Sequence, residues 1–185
     1  MEKNIIIGGV GGQGILTIAR IIVSAAQKEG LSFKQAEIHG MSQRGGAVYV
    51  HLRLSNSKIY APIIPEGEAE LIISMEPLEA LRYVSYLRSD GIIVSSVWKV
   101  PNISYDENLV TDELKRLKAI LVDTKGIAQT AGNALAENMA ILGASSSFLG
   151  LKKENLEKSI VEAFSSKPTL LETNLKAFKL GAESQ

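Results

Sequence analysis

The chain has 185 residues, and its 20 lysines and arginines balance 20 aspartates and glutamates, so a formal net charge of zero gives no bulk attraction to nucleic acids or acidic membranes. A hydrophobic fraction of 45% and a charged fraction of 22% are typical of a globular domain, not of a long disordered segment. The sequence holds no cysteine, which excludes disulfides, thiolate zinc sites, cysteine-ligated iron–sulfur clusters and a cysteine nucleophile within this chain.

No part of the sequence has the pattern of a targeting or membrane segment. The apolar run 5–7 is too short for the apolar region of a signal peptide, and the stretch 15–26 is interrupted by Thr17, Arg20 and Ser24. Internal repeats, low-complexity runs and linkers are not visible either. We therefore expect residues 1–185 to form one cytoplasmic domain.

The first 30 residues predict a strand, a glycine turn and a helix. Three consecutive isoleucines in residues 4–8 are typical of a strand that is buried on both faces. In residues 15–29, apolar side chains recur every three or four positions, which predicts a helix, and Gly30 is well placed to end it.

The rest of the chain alternates between strands and helices and ends in helices. Further strands are expected at residues 32–38, 47–54, 71–74, 91–97 and 119–122. Helices are expected at residues 77–88, 111–118, 133–147, 152–164 and 168–180. This order predicts an α/β fold with a Rossmann-like, doubly wound, mostly parallel sheet and a cover of C-terminal helices.

The turn between the first strand and the first helix contains a glycine motif. Gly9, Gly11 and Gly14 form G-x-G-x-x-G in the strand–turn–helix context that dinucleotide sites require. Free amides at the start of the helix favour a bound anion. No Lys-Ser or Lys-Thr follows the glycines, so a nucleoside triphosphatase phosphate loop is excluded. Two interpretations remain open: a site for a nucleotide or another anion, or a tight turn that binds nothing.

Three more residues are candidates for the same site. Gly12 and Gln13 enlarge the turn beyond what a simple strand-to-helix connection needs. Glu37 follows Gly14 by 23 residues, near the end of the second predicted strand, where the ribose-binding carboxylate of a dinucleotide site is found.

A second glycine-rich loop, residues 36–47, joins the second and third predicted strands. It contains Ser42, Gln43 and Arg44, and the planar guanidinium suits a carboxylate or a phosphate, or else a surface salt bridge. We expect this loop and the first turn to lie at the same edge of the sheet. The two histidines of the chain lie on different elements without cysteine, so no metal site is expected.

These motifs together resemble one protein family. In order along the chain, the matching segments are residues 9–15, residues 37–46, Pro65-Glu66-Gly67, residues 76–83 (EPLEALRY), Gly132-Asn133 and residues 174–181. The combination resembles the gamma-type subunit of the 2-oxoacid:ferredoxin oxidoreductases and is closest to the beta subunit of the indolepyruvate ferredoxin oxidoreductases. The resemblance extends over residues 4–181, nearly the whole chain.

The resemblance implies an accessory subunit that has no catalytic residues of its own. Thiamine diphosphate, magnesium and iron–sulfur clusters are then expected on a large partner subunit, which decarboxylates the 2-oxoacid (indolepyruvate type, aryl or pyruvate) oxidatively and passes electrons to ferredoxin. Coenzyme A is a further candidate ligand of the complex. The contact with the partner or its cofactors is expected at Gly9, Gly11, Gly12, Gln13, Gly14, Glu37, Ser42, Gln43 and Arg44.

Two other hypotheses remain. The glycine motif and Glu37 also fit a stand-alone NAD(P)-binding Rossmann oxidoreductase, although 185 residues leave little chain for a substrate domain. The second hypothesis is that the glycines are purely structural and that the chain is a scaffold for interactions. In isolation the chain is a candidate for a homodimer, formed through the surface that its partner would cover.

Overall fold

A single six-stranded sheet organises the computed structural model, which describes residues 2–40, 46–101 and 104–184. The strand order is β2-β3-β1-β4-β5-β6, and β3 is antiparallel to both of its neighbours while the other pairs are parallel. The strands are β1 (Glu2–Val10), β2 (Ser32–His39), β3 (Ala47–Ser55), β4 (Ala69–Ser74), β5 (Leu87–Ser96) and β6 (Ile120–Val122). Five strands thus run in one direction, and the prediction of a mostly parallel, doubly wound sheet is confirmed.

Helices cover both faces of this sheet. They are α1 (Ile15–Lys28), α2 (Pro77–Arg82), α3 (Glu107–Arg116), α4 (Thr124–Ala131), α5 (Glu137–Ser145), α6 (Lys153–Phe164) and α7 (Pro168–Glu183), with short 3-10 turns at Val84–Tyr86, Ala134–Ala136 and Ser146–Phe148. Within the described residues, no helix combines the length and the apolar character needed to cross a membrane.

The isoleucines of β1 show how the two cores arise. Ile5 and Ile7 point to the face that carries α1 and the C-terminal helices, whereas Ile6 points to the face that carries α2 and α3. All three side chains are fully buried. Because successive side chains of a strand alternate between faces, a strand that is covered on both sides has apolar residues at consecutive positions.

Three predicted helices differ from the structure. The helix expected at residues 111–118 begins four residues earlier, at Glu107, because Asp106 caps it there. The helix expected at residues 77–88 ends at Arg82, because Leu87 already pairs with Ala69 in a ladder that is bulged before Leu71. Strand pairing there prevails over the helical spacing of the apolar residues. The helix expected at residues 133–147 is a 3-10 turn followed by α5.

Helix α4 was not predicted at all, although its ends are marked in the sequence. The Asp123 carboxylate caps its start by accepting from the Gly126 N–H, and Gly132 ends it in the left-handed conformation.

The last helix packs against α5 at very short range. A β-carbon on Gly143 of α5 would strike the Phe178 carbonyl oxygen, and one on Gly181 of α7 would strike the Ala140 carbonyl oxygen. The two glycines therefore let the two helix backbones touch, which fixes the position of α5 relative to the C-terminal cover.

Candidate functional site

The turn after β1 is held by the side chain of Gln13. The Val10 N–H donates to Gln13 Oε1 (2.7 Å), and Gln13 Nε2 donates to the Met75 carbonyl oxygen (3.1 Å) just beyond β4. Both ends of the amide are thus engaged within the chain. Gln13, which was expected to contact a cofactor or the partner, joins the ends of two parallel strands.

The glycines of this turn have different surroundings. At Gly9 a β-carbon would lie 2.6 Å from Ile15 Cδ1 and 3.1 Å from Met75 Cβ, so this position allows close packing. Gly12 has a φ of +101°, and a β-carbon added there would meet nothing within 4 Å, so it opens outward. Gly14 has a φ of +79°, and its missing side chain makes room for the Asn138 amide of α5.

The second glycine-rich loop starts and ends beside this turn. The Gly11 N–H donates to the Gly46 carbonyl oxygen (3.0 Å), and the Gly40 N–H donates to the Ala47 carbonyl oxygen (2.8 Å). The expectation that both loops lie at one edge of the sheet is therefore confirmed for the described flanks, Gly40 and Gly46. Ser42, Gln43 and Arg44 lie outside the described residues.

Glu37 is not brought to the glycine turn. It lies on the edge strand β2, and β3 separates it from β1, a backbone distance of about 10 Å for two strand spacings. Its carboxylate accepts from Gln35 Nε2 (2.8 Å) and lies 3.5 Å from His39 Nε2. In a dinucleotide site the corresponding strand neighbours the first one; here the antiparallel β3 takes that place.

The other histidine is part of the core. His51 is 1% exposed, and its Nδ1 accepts a hydrogen bond from the Ile64 N–H (3.1 Å). Burial lowers the pKa of His51, which favours the neutral ring that this hydrogen bond needs.

A cleft that the sequence did not predict lies between the glycine turn and the start of α5. Its volume is about 360 Å³, and we call it the α5 cleft. It is lined by Gly12, Gln13, Gly14, Met75, Ala134, Leu135, Glu137 and Asn138. The glycine motif supplies one side of it, and on the α5 side the sequence signal is the Gly132-Asn133 pair, which directly precedes the lining residues of the 3-10 turn and α5.

Two polar side chains at the start of α5 supply hydrogen-bond acceptors to the α5 cleft. Glu137 Oε2 accepts from the Thr124 hydroxyl (3.0 Å), which in turn pairs with the Ser96 hydroxyl (2.8 Å) at the end of β5. Asn138 Oδ1 is buried and has no hydrogen-bond partner among the described residues. At the mouth of the cleft, Leu135 is 84% exposed.

The segment after β4, whose sequence is EPLEALRY, contains two buried carboxylates. Glu76 caps α2 by accepting from the Glu79 N–H (3.0 Å) and also accepts from the Tyr105 hydroxyl (2.6 Å). Glu79 accepts from Arg82 Nε (2.8 Å) and from the Tyr83 hydroxyl (3.1 Å). Burial raises the pKa values of Glu79 and Tyr83. Each carboxylate is thus fully occupied in fixing α2.

Comparison with known proteins identifies the family. Residues 4–184 match the pyruvate ferredoxin/flavodoxin oxidoreductase family. The chain belongs to this family. Subunit IorB of the indolepyruvate oxidoreductase from Thermococcus kodakarensis is 36% identical over 194 residues, which cover 99% of this chain and 96% of the relative.

Two solved oxidoreductase structures share the fold. The gamma subunit of a keto/oxoacid ferredoxin oxidoreductase from Geobacter sulfurreducens is 23% identical with a TM-score of 0.72, over 98% of this chain and 96% of that one. A 2-oxoglutarate:ferredoxin oxidoreductase from Magnetococcus marinus, with 2-oxoglutarate, coenzyme A and succinyl-CoA bound, gives a TM-score of 0.78 at 19% identity, over 98% of this chain and 30% of that one.

These comparisons confirm the resemblance drawn from the motifs and the accessory-subunit interpretation. The relatives that match along their whole length are subunits of oxidoreductases that act on 2-oxoacids. A stand-alone NAD(P)-binding oxidoreductase is not favoured, which agrees with the position of Glu37 two strands away from β1.

Proposed function

We propose that this chain is the accessory subunit of a thiamine diphosphate-dependent, indolepyruvate-type 2-oxoacid:ferredoxin oxidoreductase, inactive by itself and docked on a large catalytic subunit. The observation that carries the proposal is the 36% identity to subunit IorB over nearly the full length of both chains. In the complex, the partner's thiamine diphosphate, magnesium and iron–sulfur clusters supply the oxidative decarboxylation and carry the electrons to ferredoxin. The proposal retains the cytoplasmic location expected from the sequence.

The docking surface in this proposal is the edge of the sheet at the C-terminal end of β1. The glycine turn and the described flanks of the second loop meet there, and the α5 cleft opens beside them. The edge continues to Val97 and Trp98 after β5, which are 43% and 40% exposed. An exposed aromatic and apolar border around a polar cleft suits contact with another protein.

Coenzyme A is the small ligand that we assign to the same edge. The N-cap residue of α1 provides no side-chain cap, and Gly12 is open, so backbone amides at the start of α1 suit a phosphate group. On sequence grounds the proposal adds Ser42, Gln43 and Arg44. Gly9 and Gln13 are left out because they pack and hold the turn, and Glu37 is left out because it lies two strands away from β1.

Co-expression with the large subunit tests the accessory role. We expect oxoacid-dependent reduction of ferredoxin from the complex, tested with indolepyruvate, other arylpyruvates and pyruvate, and none from this chain alone. Ferredoxin reduction by the purified chain alone would contradict the proposal. Sedimentation of the isolated chain tests the expected homodimer.

The assignment of coenzyme A has its own test in the complex. Arg44→Ala is expected to raise the KM for coenzyme A at least threefold and to leave the KM for the oxoacid unchanged, since the lost guanidinium would pair with a phosphate. Arg116→Ala is the matched control, because Arg116 lies on α3 and pairs only with the exposed Glu113 among the described residues. Equal KM values in both variants would remove Arg44 from the site.

A further inference from the structure

The α5 cleft has a chemical character that the docking proposal does not explain. Its polar lining includes the Glu137 carboxylate, which can only accept hydrogen bonds, and the Asn138 side chain, whose Oδ1 is buried without a partner among the described residues. Buried polar groups without a partner are rare in native proteins and call for a ligand or an ordered water.

Most of the exposed lining of the cleft is apolar. Met75, Ala134 and Leu135 form its walls, and Leu135 is almost wholly exposed at the mouth. A chain of methylene groups that ends in a hydrogen-bond donor with a positive charge fits such a lining, because its stem contacts the walls and its head reaches the acceptors. Lysine and arginine side chains have this form. A phosphate or carboxylate bound beside Glu137 would be repelled by its carboxylate, whereas the phosphate proposed above contacts backbone amides on the opposite, glycine-turn side.

We infer that the α5 cleft receives a lysine or arginine side chain from the large subunit. The inference rests on the proposed function, since it names the contact by which that subunit would hold this one. The exposed Leu135 and the continuity of the cleft with the glycine turn favour a side chain of a docked protein over a free small molecule. Glu137 supplies the charge complement, and Asn138 accepts a hydrogen bond that its burial otherwise leaves unmade.

The charge in the cleft is tested by Glu137→Gln. The substitution keeps an oxygen for the Thr124 hydroxyl and removes only the charge, so the fold is retained. We expect about tenfold weaker binding to the large subunit, mainly through faster dissociation. The control is Glu154→Gln, which removes an exposed carboxylate from the first turn of α6. Equal affinities of the two variants would overturn the inference.

Asn138→Leu distinguishes a role in binding the partner from a role in the fold, because the two roles affect the Tm and the affinity differently. If the buried amide exists for the partner, its loss should leave the Tm of the isolated chain unchanged or higher while binding to the large subunit weakens about tenfold. A lower Tm with unchanged affinity would show that Asn138 serves the fold alone, and the inference would fail.

A cross-link identifies the occupant directly. Because the chain has no cysteine, Leu135→Cys places a single thiol at the mouth of the cleft, which can carry a maleimide–benzophenone reagent. In the complex we expect it to capture a peptide of the large subunit that contains lysine or arginine, whereas Leu109→Cys, at a 70% exposed position on α3, should capture none. A captured peptide without a basic residue, or equal capture at both sites, would overturn the inference.

These outcomes are separate from failure of the proposed function. If the large subunit does not bind the wild-type chain, the accessory role itself fails. If it binds the wild type and all variants equally well, the accessory role stands and the cleft has no cationic occupant.

Discussion

Two regions at the same edge of the sheet use buried polar side chains in different ways. After β4, Glu76 and Glu79 are almost completely buried, and donors from the backbone, from tyrosines and from Arg82 occupy them. At the start of α5, Asn138 Oδ1 is also buried but lacks a partner among the described residues. A buried acceptor with its donors in place stabilises the fold, whereas one without them is available to another molecule.

The largest expected effect on stability comes from Glu76, a buried carboxylate whose hydrogen-bond donors are in place. Glu76→Ala removes both the cap of α2 and the acceptor of the Tyr105 hydroxyl, so we expect the free energy of unfolding to fall by about 3 kcal/mol. Asp106→Ala removes only an exposed cap, that of α3, and should cost about 1 kcal/mol. Urea denaturation measures both values, and equal losses would show that the buried Tyr105 contact contributes nothing.

A smaller effect is expected where the glycine turn meets α5. Gly14→Ala forces an L residue into the left-handed region and pushes a β-carbon into the Asn138 amide, so we expect a loss of about 2 kcal/mol. Gly12→Ala meets the same backbone strain but no neighbour, and about 1 kcal/mol is expected.

A double-mutant cycle isolates the contact between Gly14 and Asn138. Adding Asn138→Ala to Gly14→Ala should recover the difference between the two glycine variants, because it removes the side chain that the new β-carbon strikes. Purely additive free energies would show that Asn138 does not restrict this position.

The smallest expected effect on stability comes from the protonation of His51, whose Nδ1 accepts the hydrogen bond from the Ile64 N–H. Because burial lowers its pKa in the folded state below the ordinary 6.5, the unfolded chain binds the proton more readily. The stabilisation is therefore complete above pH 6.5 and is lost as the pH falls from 6.5 through the lowered folded-state pKa. The free energy of unfolding of the wild type should drop over this range relative to His51→Gln, in chemical denaturation at several pH values. The control is His39→Gln, which replaces an exposed histidine.

The sequence predicted those parts of the fold that depend on neighbouring residues. The helix α1 begins at Ile15 as expected, because the apolar spacing and the flanking glycines are local signals. The insertion of β3 between β1 and β2 depends on pairing across the sheet, which no local pattern encodes, and it moves Glu37 away from the glycine turn.

The candidate site was predicted only in part for the same reason. The order of the strands predicts the glycine turn and its position beside the second loop. The structure confirms both for the described flanks of that loop. The α5 cleft needs Gly14 and Asn138, which are more than 120 positions apart in the sequence. The role of Gln13 also depends on a distant group, the Met75 carbonyl oxygen. Contacts of this kind arise from packing of whole elements and leave no pattern in the sequence.

The glycine contact between α5 and α7 couples the docking edge to the C-terminus of the chain. Backbone touching backbone at Gly143 and Gly181 leaves no side chain in between to absorb a displacement of α5. A partner that tightens the first turn of α5 should therefore also slow amide hydrogen exchange along α7, far from any residue it touches. The terminal helix would then report on assembly of the complex without taking part in it.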